Sequence, residues 1–142
     1  MRSEKSIGRM VGVLLLAHLA AGLIVPFVML DKVRRPPGFL ENAAASPDMV
    51  RAAVLLLFAG SAIAIGISVT AYPVFRRHAS GQSIWLLAMA VAWFALQAVD
   101  NVALLSMLSL SEEYAKAGAA RADLFEALNA VVGSIRRWAH FT

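Results

Sequence analysis

IWLLAMAVAWFALQAVDNVALLSMLSL, Ile84–Leu110, is the stretch on which the fold turns. It runs for 27 residues, almost wholly apolar, yet carries Gln97, Asp100 and Asn101 near its middle. An α-helix crosses ~30 Å of hydrocarbon with about 20 apolar residues. In lipid such a run satisfies its own backbone polar groups only as a helix. A carboxylate at mid-membrane costs roughly 2.5–3.5 kcal/mol on the insertion scale. The twelve Leu, Ile, Val and Phe residues of the run oppose it at ~0.3–0.6 kcal/mol each, roughly 4–7 kcal/mol as an upper bound. Insertion wins, on condition that Asp100 faces protein or water rather than acyl chains. Gln97, Asp100 and Asn101 stand at i, i+3 and i+4, so one helix face presents all three.

The remainder of the chain reads as a setting for this segment. Of 142 residues, 60% are hydrophobic and 15% charged, against about 45–50% and 25% in soluble domains. The composition is that of an all-α, multi-pass transmembrane helical bundle forming a single membrane domain. Cysteine is absent, which excludes disulfides, thiolate metal sites and a cysteine nucleophile. The net charge of +4 comes from short basic clusters at segment ends. That is where membrane proteins place them, and no nucleic-acid partner is expected.

Upstream, a basic start with Arg2, Lys5 and Arg9 leads into the apolar run Met10–Leu30. The run is longer than a secretory signal core and no clear A-x-A site closes it, so a retained first helix over about 10–30 is predicted. Pro26 is placed to kink or fray its last turn. Pro36, Pro37 and Gly38 then exclude a helix. Ser46-Pro47-Asp48 has the composition of a helix start, with an N-cap, a first-position proline and an acid at the positive dipole end. A second span is predicted over about 50–75. Within it Gly60, Ala64 and Ser68 recur every fourth residue, a small-residue stripe that allows another helix close approach. The stripe serves packing within the bundle or, in the sharper reading, a homo-oligomer. A loop over 76–82 with Arg76 and Arg77 leads to the third span, about 84–110, and Tyr72 and Trp85 form an interfacial aromatic pair.

Beyond Leu110, Ser109 and Glu112 have the spacing of a capping box. Leu124, Leu128, Val131, Ile135 and Trp138 are spaced 4, 3, 4, 3, which predicts an amphipathic fourth helix over about 111–139. It is expected to lie in the interface plane or to pack beneath the bundle, because Arg136 and Arg137 interrupt its apolar run. The abrupt end at Trp138-Ala139-His140-Phe141-Thr142 suggests a truncated chain. Positive-inside counting sets Arg2, Lys5, Arg9, Arg76 and Arg77 against Lys32, Arg34, Arg35, Arg51, Lys116 and Arg121, five against six. The count decides nothing. The acid-free Arg76-Arg77 loop and the basic start tilt the expectation to a cytoplasmic N-terminus.

Two words of the sequence, GISVTAYPVFRRHASG (Gly66–Gly81) and LLSMLSLSEEYAKAGAARADLFEALNAVVGSIRRWA (Leu104–Ala139), resemble a bacterial integral-membrane family known as domain of unknown function 4386. The apolar helix, proline and basic turn of the first word are similar to that family's pattern, as is the helix exit LSLSEEYAKAG of the second. The resemblance implies an all-helical fold and a location in the bacterial inner membrane. Members of the family are usually longer, with about six spans. It implies no reaction, ligand or site residue.

Taking span centres at Ala20, Ile63 and Gln97 and a rise of 1.5 Å per residue, His18, Ser61 and Asp100 fall within ~5 Å of the midplane. His18, Ser61, Gln97, Asp100 and Asn101 are therefore the candidate intramembrane polar layer, with His18 as the natural titrating partner of Asp100. Two readings stay open: interhelical hydrogen bonding that only holds the bundle together, or a site for protons or a small solute. A haem would need a second mid-membrane histidine, and His78 and His140 sit at segment ends. H-E-x-x-H, G-x-S-x-G and phosphate-cradling glycine loops are all absent. No catalytic residue, metal or cofactor is expected. The expected role is that of a non-enzymatic structural or accessory component of the membrane, and the alternative is a small-solute or proton transporter or sensor built on Asp100.

Overall fold

Where the apolar runs end, the helices do not. The computed structural model describes residues 4–117 and 121–141, and every regular element among them is helical. Helix α1 (Glu4–Ile24) continues through a π-helical turn, Val25–Met29. Two short helices, α2 (Asp31–Arg34) and α3 (Phe39–Asn42), and a 3-10 turn (Ala43–Ala45) follow. Three long helices complete the chain: α4 (Pro47–His78), α5 (Ser80–Ala117) and α6 (Ala122–Phe141). Among the described residues, three segments are long and apolar enough to cross a membrane: Glu4–Met29, Pro47–His78 and Ser80–Ala117.

The boundaries follow local chemistry. Ser46 is the N-cap of α4 with Pro47 in its first turn, although the Ser46 side chain makes no capping hydrogen bond. Arg76, Arg77 and His78 occupy the last turn of α4, where cations favour the negative dipole end. That turn stays helical, and the expected loop over 76–82 shrinks to the single corner residue Ala79. The Ala79 N–H donates to the Phe75 carbonyl at 2.8 Å and its carbonyl accepts from Ser83 at 3.1 Å. Pro26 has no N–H to give, and the chain widens there: the Leu30 N–H reaches back five residues to the Val25 carbonyl at 2.9 Å. Gly38, at φ 144°, stands at the N-cap of α3 in a conformation that side chains disfavour.

The expected capping box is not used. Ser109 Oγ donates back to the Leu105 carbonyl at 3.2 Å, and α5 runs through to Ala117 without a break. Helix formers fill its last turns, and Lys116 pairs with Glu113 at 2.7 Å. The fourth helix accordingly begins at Ala122 rather than near 111. Residues 118–120 of the expected 111–139 helix, like Arg2 of the basic start and Thr142, lie outside the described residues.

Successive long helices are antiparallel. Arg77 pairs with Glu4 at 3.0 Å at one end of the α1–α4 pair. Along α4 and α5, the Phe58 and Phe94 rings meet at a tilt with centroids 6.3 Å apart, and Arg51 bridges to Glu112 at 2.9 Å. Tyr114 and Phe125 meet edge to face at 5.9 Å where α6 turns back along α5. The apolar core gathers at the end closed by α2 and α3, around Val25, Leu30, Val33, Val50, Val54 and Leu104. There the Ala44 N–H donates to the buried Ser111 hydroxyl at 2.8 Å and ties the 3-10 turn to α5. Elsewhere large apolar side chains point outward: Leu16, Phe27, Leu55 and Trp85 are 67–72% exposed. Such a surface fits acyl chains better than water.

Helix α6 inverts the arrangement a water-soluble bundle would have. The stripe Leu124, Leu128, Val131, Ile135, Trp138 is exposed. The face half-buried against the bundle carries Phe125, Asn129, Val132 and Arg136, again spaced 4, 3, 4. The helix does not pack beneath the bundle. It returns along α5 for ~21 Å between Ala122 and Arg136 at 1.5 Å per residue, reaching the level of Asp100.

Candidate functional site

Asp100 lies in the middle of α5 with its side chain 3% exposed. A carboxylate so placed needs a cation or several donors. Its partner is Arg136, 36 residues away on α6. Nε donates to Oδ1 at 2.8 Å and an Nη to Oδ2 at 3.2 Å. This is the side-on, two-bond geometry that guanidinium and carboxylate favour. Gln97, one turn before Asp100, offers its amide nitrogen to Asp100 Oδ2 at 3.4 Å and to Asn101 Oδ1 at 3.5 Å. The Asn101 side chain is fully buried, and its Nδ2 has no hydrogen-bond partner among the described residues.

His18 does not bond to Asp100. Its Nδ1 meets the Gly60 carbonyl at 2.9 Å, which makes Nδ1 the donor and fixes the ring against α4. Helix α1 packs closely on α4 at Gly60, with room for a Cβ at ordinary contact distance. A Cβ at that position would lie 3.7 Å from Ala21 Cβ and 3.9 Å from His18 Nδ1. The small-residue stripe is thus in use at Gly60 within the chain, against α1. Ser61 Oγ donates to carbonyls of its own helix, Phe58 at 3.0 Å and Leu57 at 3.1 Å, and Ser68 likewise to Ala64 at 3.1 Å.

These groups surround one cavity of about 260 Å³. Helices α1 and α5 face each other across it, α4 and α6 supply further wall, and α2 approaches from the capped end. His18, Ser61, Gln97 and Asp100 all line it, and Asn101 does not. Sequence reasoning missed three lining residues of consequence: Arg34, Arg136 and Trp93. Arg136 had a usable signal. An intramembrane acid implies an intramembrane base, and Arg136 shares the spacing of Phe125, Asn129 and Val132. Arg34 had none, because the fold of α2 over the bundle depends on the π-helical turn at Pro26. Partial burial first, and repulsion by Arg136 second, lower the Arg34 pKa from the ordinary arginine value, against the pull of Asp100. Among the described residues no cluster of three or more His, Cys, Asp or Glu could hold a metal ion.

The model of a family described as a domain of unknown function, DUF4386, matches residues 10–140. The chain belongs to that family. The match extends from within α1 into α6, so every cavity residue named above lies inside the DUF4386 region. No curated protein and no solved structure matches the chain.

Proposed function

We propose that this DUF4386 protein is a multi-pass protein of the bacterial inner membrane, with its N-terminus in the cytoplasm, that holds a small solute in its polar cavity for transport or sensing. It performs no covalent chemistry in this reading. The observation that supports it is the cavity itself. Four polar side chains from three helices, with two arginines, line open space that their own hydrogen bonds leave unfilled. Groups that served only to hold helices together would leave no such space between them. Small-molecule sites have this composition, mostly apolar walls with a few convergent polar groups.

The absence of cysteine makes a clean test available. Ser61→Cys, on the cavity wall, is expected to react with a membrane-impermeant methanethiosulfonate in proteoliposomes, from one side. Leu16→Cys, on the outward face, is expected to stay unreacted. A Ser61→Cys protein inert from both sides would mean a closed layer and end the solute reading. A structural or accessory role is the second reading, and the Asp100–Arg136 pair favours it, because that bond fastens α6 to α5. Under that reading the partners are the lipid bilayer and a second copy of the chain. With Gly60 already against α1, Ala64 offers the more accessible part of the stripe.

A further inference from the structure

The charges around the cavity do not balance. Arg34 and Arg136 bring two positive charges and Asp100 one negative, which leaves one positive charge in excess. Arg136 is engaged with Asp100 through two hydrogen bonds. Arg34 is different. Asp31, one turn earlier on the same helix, pairs with Arg35 instead, and the Arg34 guanidinium has no hydrogen bond or ion pair among the described residues. Arginine keeps its proton, so the excess charge persists at the cavity's edge, where Arg34 is still exposed. Besides His18, Ser61 and Gln97, much of the cavity wall is apolar, including Val25, Pro26, Leu30, Leu56, Leu57 and Trp93. At about 260 Å³ the space sits just below the range of about 300–1,000 Å³ usual for small-molecule sites, so the occupant is small.

Resting on the solute-site reading above, we infer that the cavity takes a small monoanion with an oxyanion head and a short apolar tail, the head bound to Arg34 and the tail against Trp93 and Leu56. A guanidinium without a partner offers a carboxylate or a phosphodiester anion two parallel N–H donors. A cation would meet the excess positive charge, and a neutral solute would leave it uncompensated. The same chemistry has two sources, a free amphipathic carboxylate or the headgroup of an anionic lipid whose tail runs out of the bundle.

Calorimetry on the full chain in phosphatidylcholine nanodiscs tests the assignment. Benzoate and hexanoate are expected to bind saturably, and benzamide, with the same ring and no charge, is not. Arg34→Met is expected to weaken benzoate at least tenfold, and Arg34→Lys to restore part of that loss. Repeating the titration in phosphatidylglycerol discs separates the sources: lost benzoate binding supports a lipid headgroup, and retained binding supports a free solute. The assignment is overturned if benzamide matches benzoate, if Arg34→Met binds benzoate like the unaltered chain, or if neither carboxylate binds in phosphatidylcholine. In each of those cases labelling of Ser61→Cys still reports whether the cavity is open, so the solute-site reading is judged separately.

Discussion

Asp100 and Arg136 make the strongest single demand on the structure. Each is charged, and each would be costly at that depth without the other. Removing one partner of a buried pair leaves an uncompensated charge, at about 3–5 kcal/mol; removing both leaves only lost contacts. Asp100→Asn and Arg136→Met are therefore each expected to lower the unfolding temperature in detergent. The double variant is expected to unfold above either single one. A double variant that shows the simple sum of the two losses would mean that the residues do not act as a pair. Gly60 makes a demand of a different kind. Its missing Cβ has room at 3.7 Å and 3.9 Å from its neighbours on α1, an ordinary contact distance. Gly60→Ala is expected to be nearly neutral, whereas Gly60→Leu must push α1 aside and break the His18 hydrogen bond, at a cost of about 1–3 kcal/mol. The same thermal measurement ranks the two, and equal stability would place α1 further from α4 than the structure has it. By contrast the Arg51–Glu112 bridge is largely exposed, and such pairs are worth ~1 kcal/mol or less.

At the scale of elements, how much could be read in advance depended on which physical signal was local. Three long apolar runs announced three long helices, because length against bilayer thickness requires nothing beyond the chain itself. The start of α4 was legible in Ser46-Pro47-Asp48 for the same reason. The end of α5 was not. Ser109 and Glu112 have capping-box spacing, but a box forms only where the preceding helix stops, and Ser111, buried against the 3-10 turn, belongs to a helix that continues. Four of the five expected polar-layer residues line one cavity, because depth along a straight helix follows from residue count. Their partners did not follow, since hydrogen bonding depends on how helices rotate about their axes. Helix α6 shows this best. The stripe Leu124–Trp138 was visible, yet which face a stripe turns inward depends on the solvent, and lipid tails are as apolar as leucine. The polar face, with Asn129 and Arg136, turned inward instead. A spin label at Val131→Cys is therefore expected to be relaxed by dissolved oxygen and shielded from a water-soluble nickel chelate. Strong relaxation by the chelate would put that face in water and remove α6 from membrane depth.

At the scale of the whole molecule, the two ends of the bundle differ in kind. At 1.5 Å per residue, the 38 residues of α5 span ~57 Å, far beyond ~30 Å of hydrocarbon. One end is the tight corner at Ala79 beside Arg76 and Arg77. The other is the cap of α2, α3 and the 3-10 turn, with the apolar core beneath it and Arg34 at the edge of the cavity. The acid-free Arg76-Arg77 turn at the Ala79 end, beside which the chain starts, favours a cytoplasmic N-terminus under the positive-inside tendency. With that orientation the capped end, and Arg34 with it, faces out of the cell, so a solute entering past α2 arrives from outside. Two single-cysteine variants decide the matter, both at exposed positions: Gly81→Cys beside the corner and Glu41→Cys in the cap. In intact bacterial cells an impermeant maleimide is expected to label Glu41→Cys and to reach Gly81→Cys only after permeabilisation. The reverse pattern would turn the molecule over and open the cavity to the cytoplasm. It would leave the Asp100–Arg136 pair and the spare charge of Arg34 where they are, because those depend on how the helices pack and not on which way the bundle points.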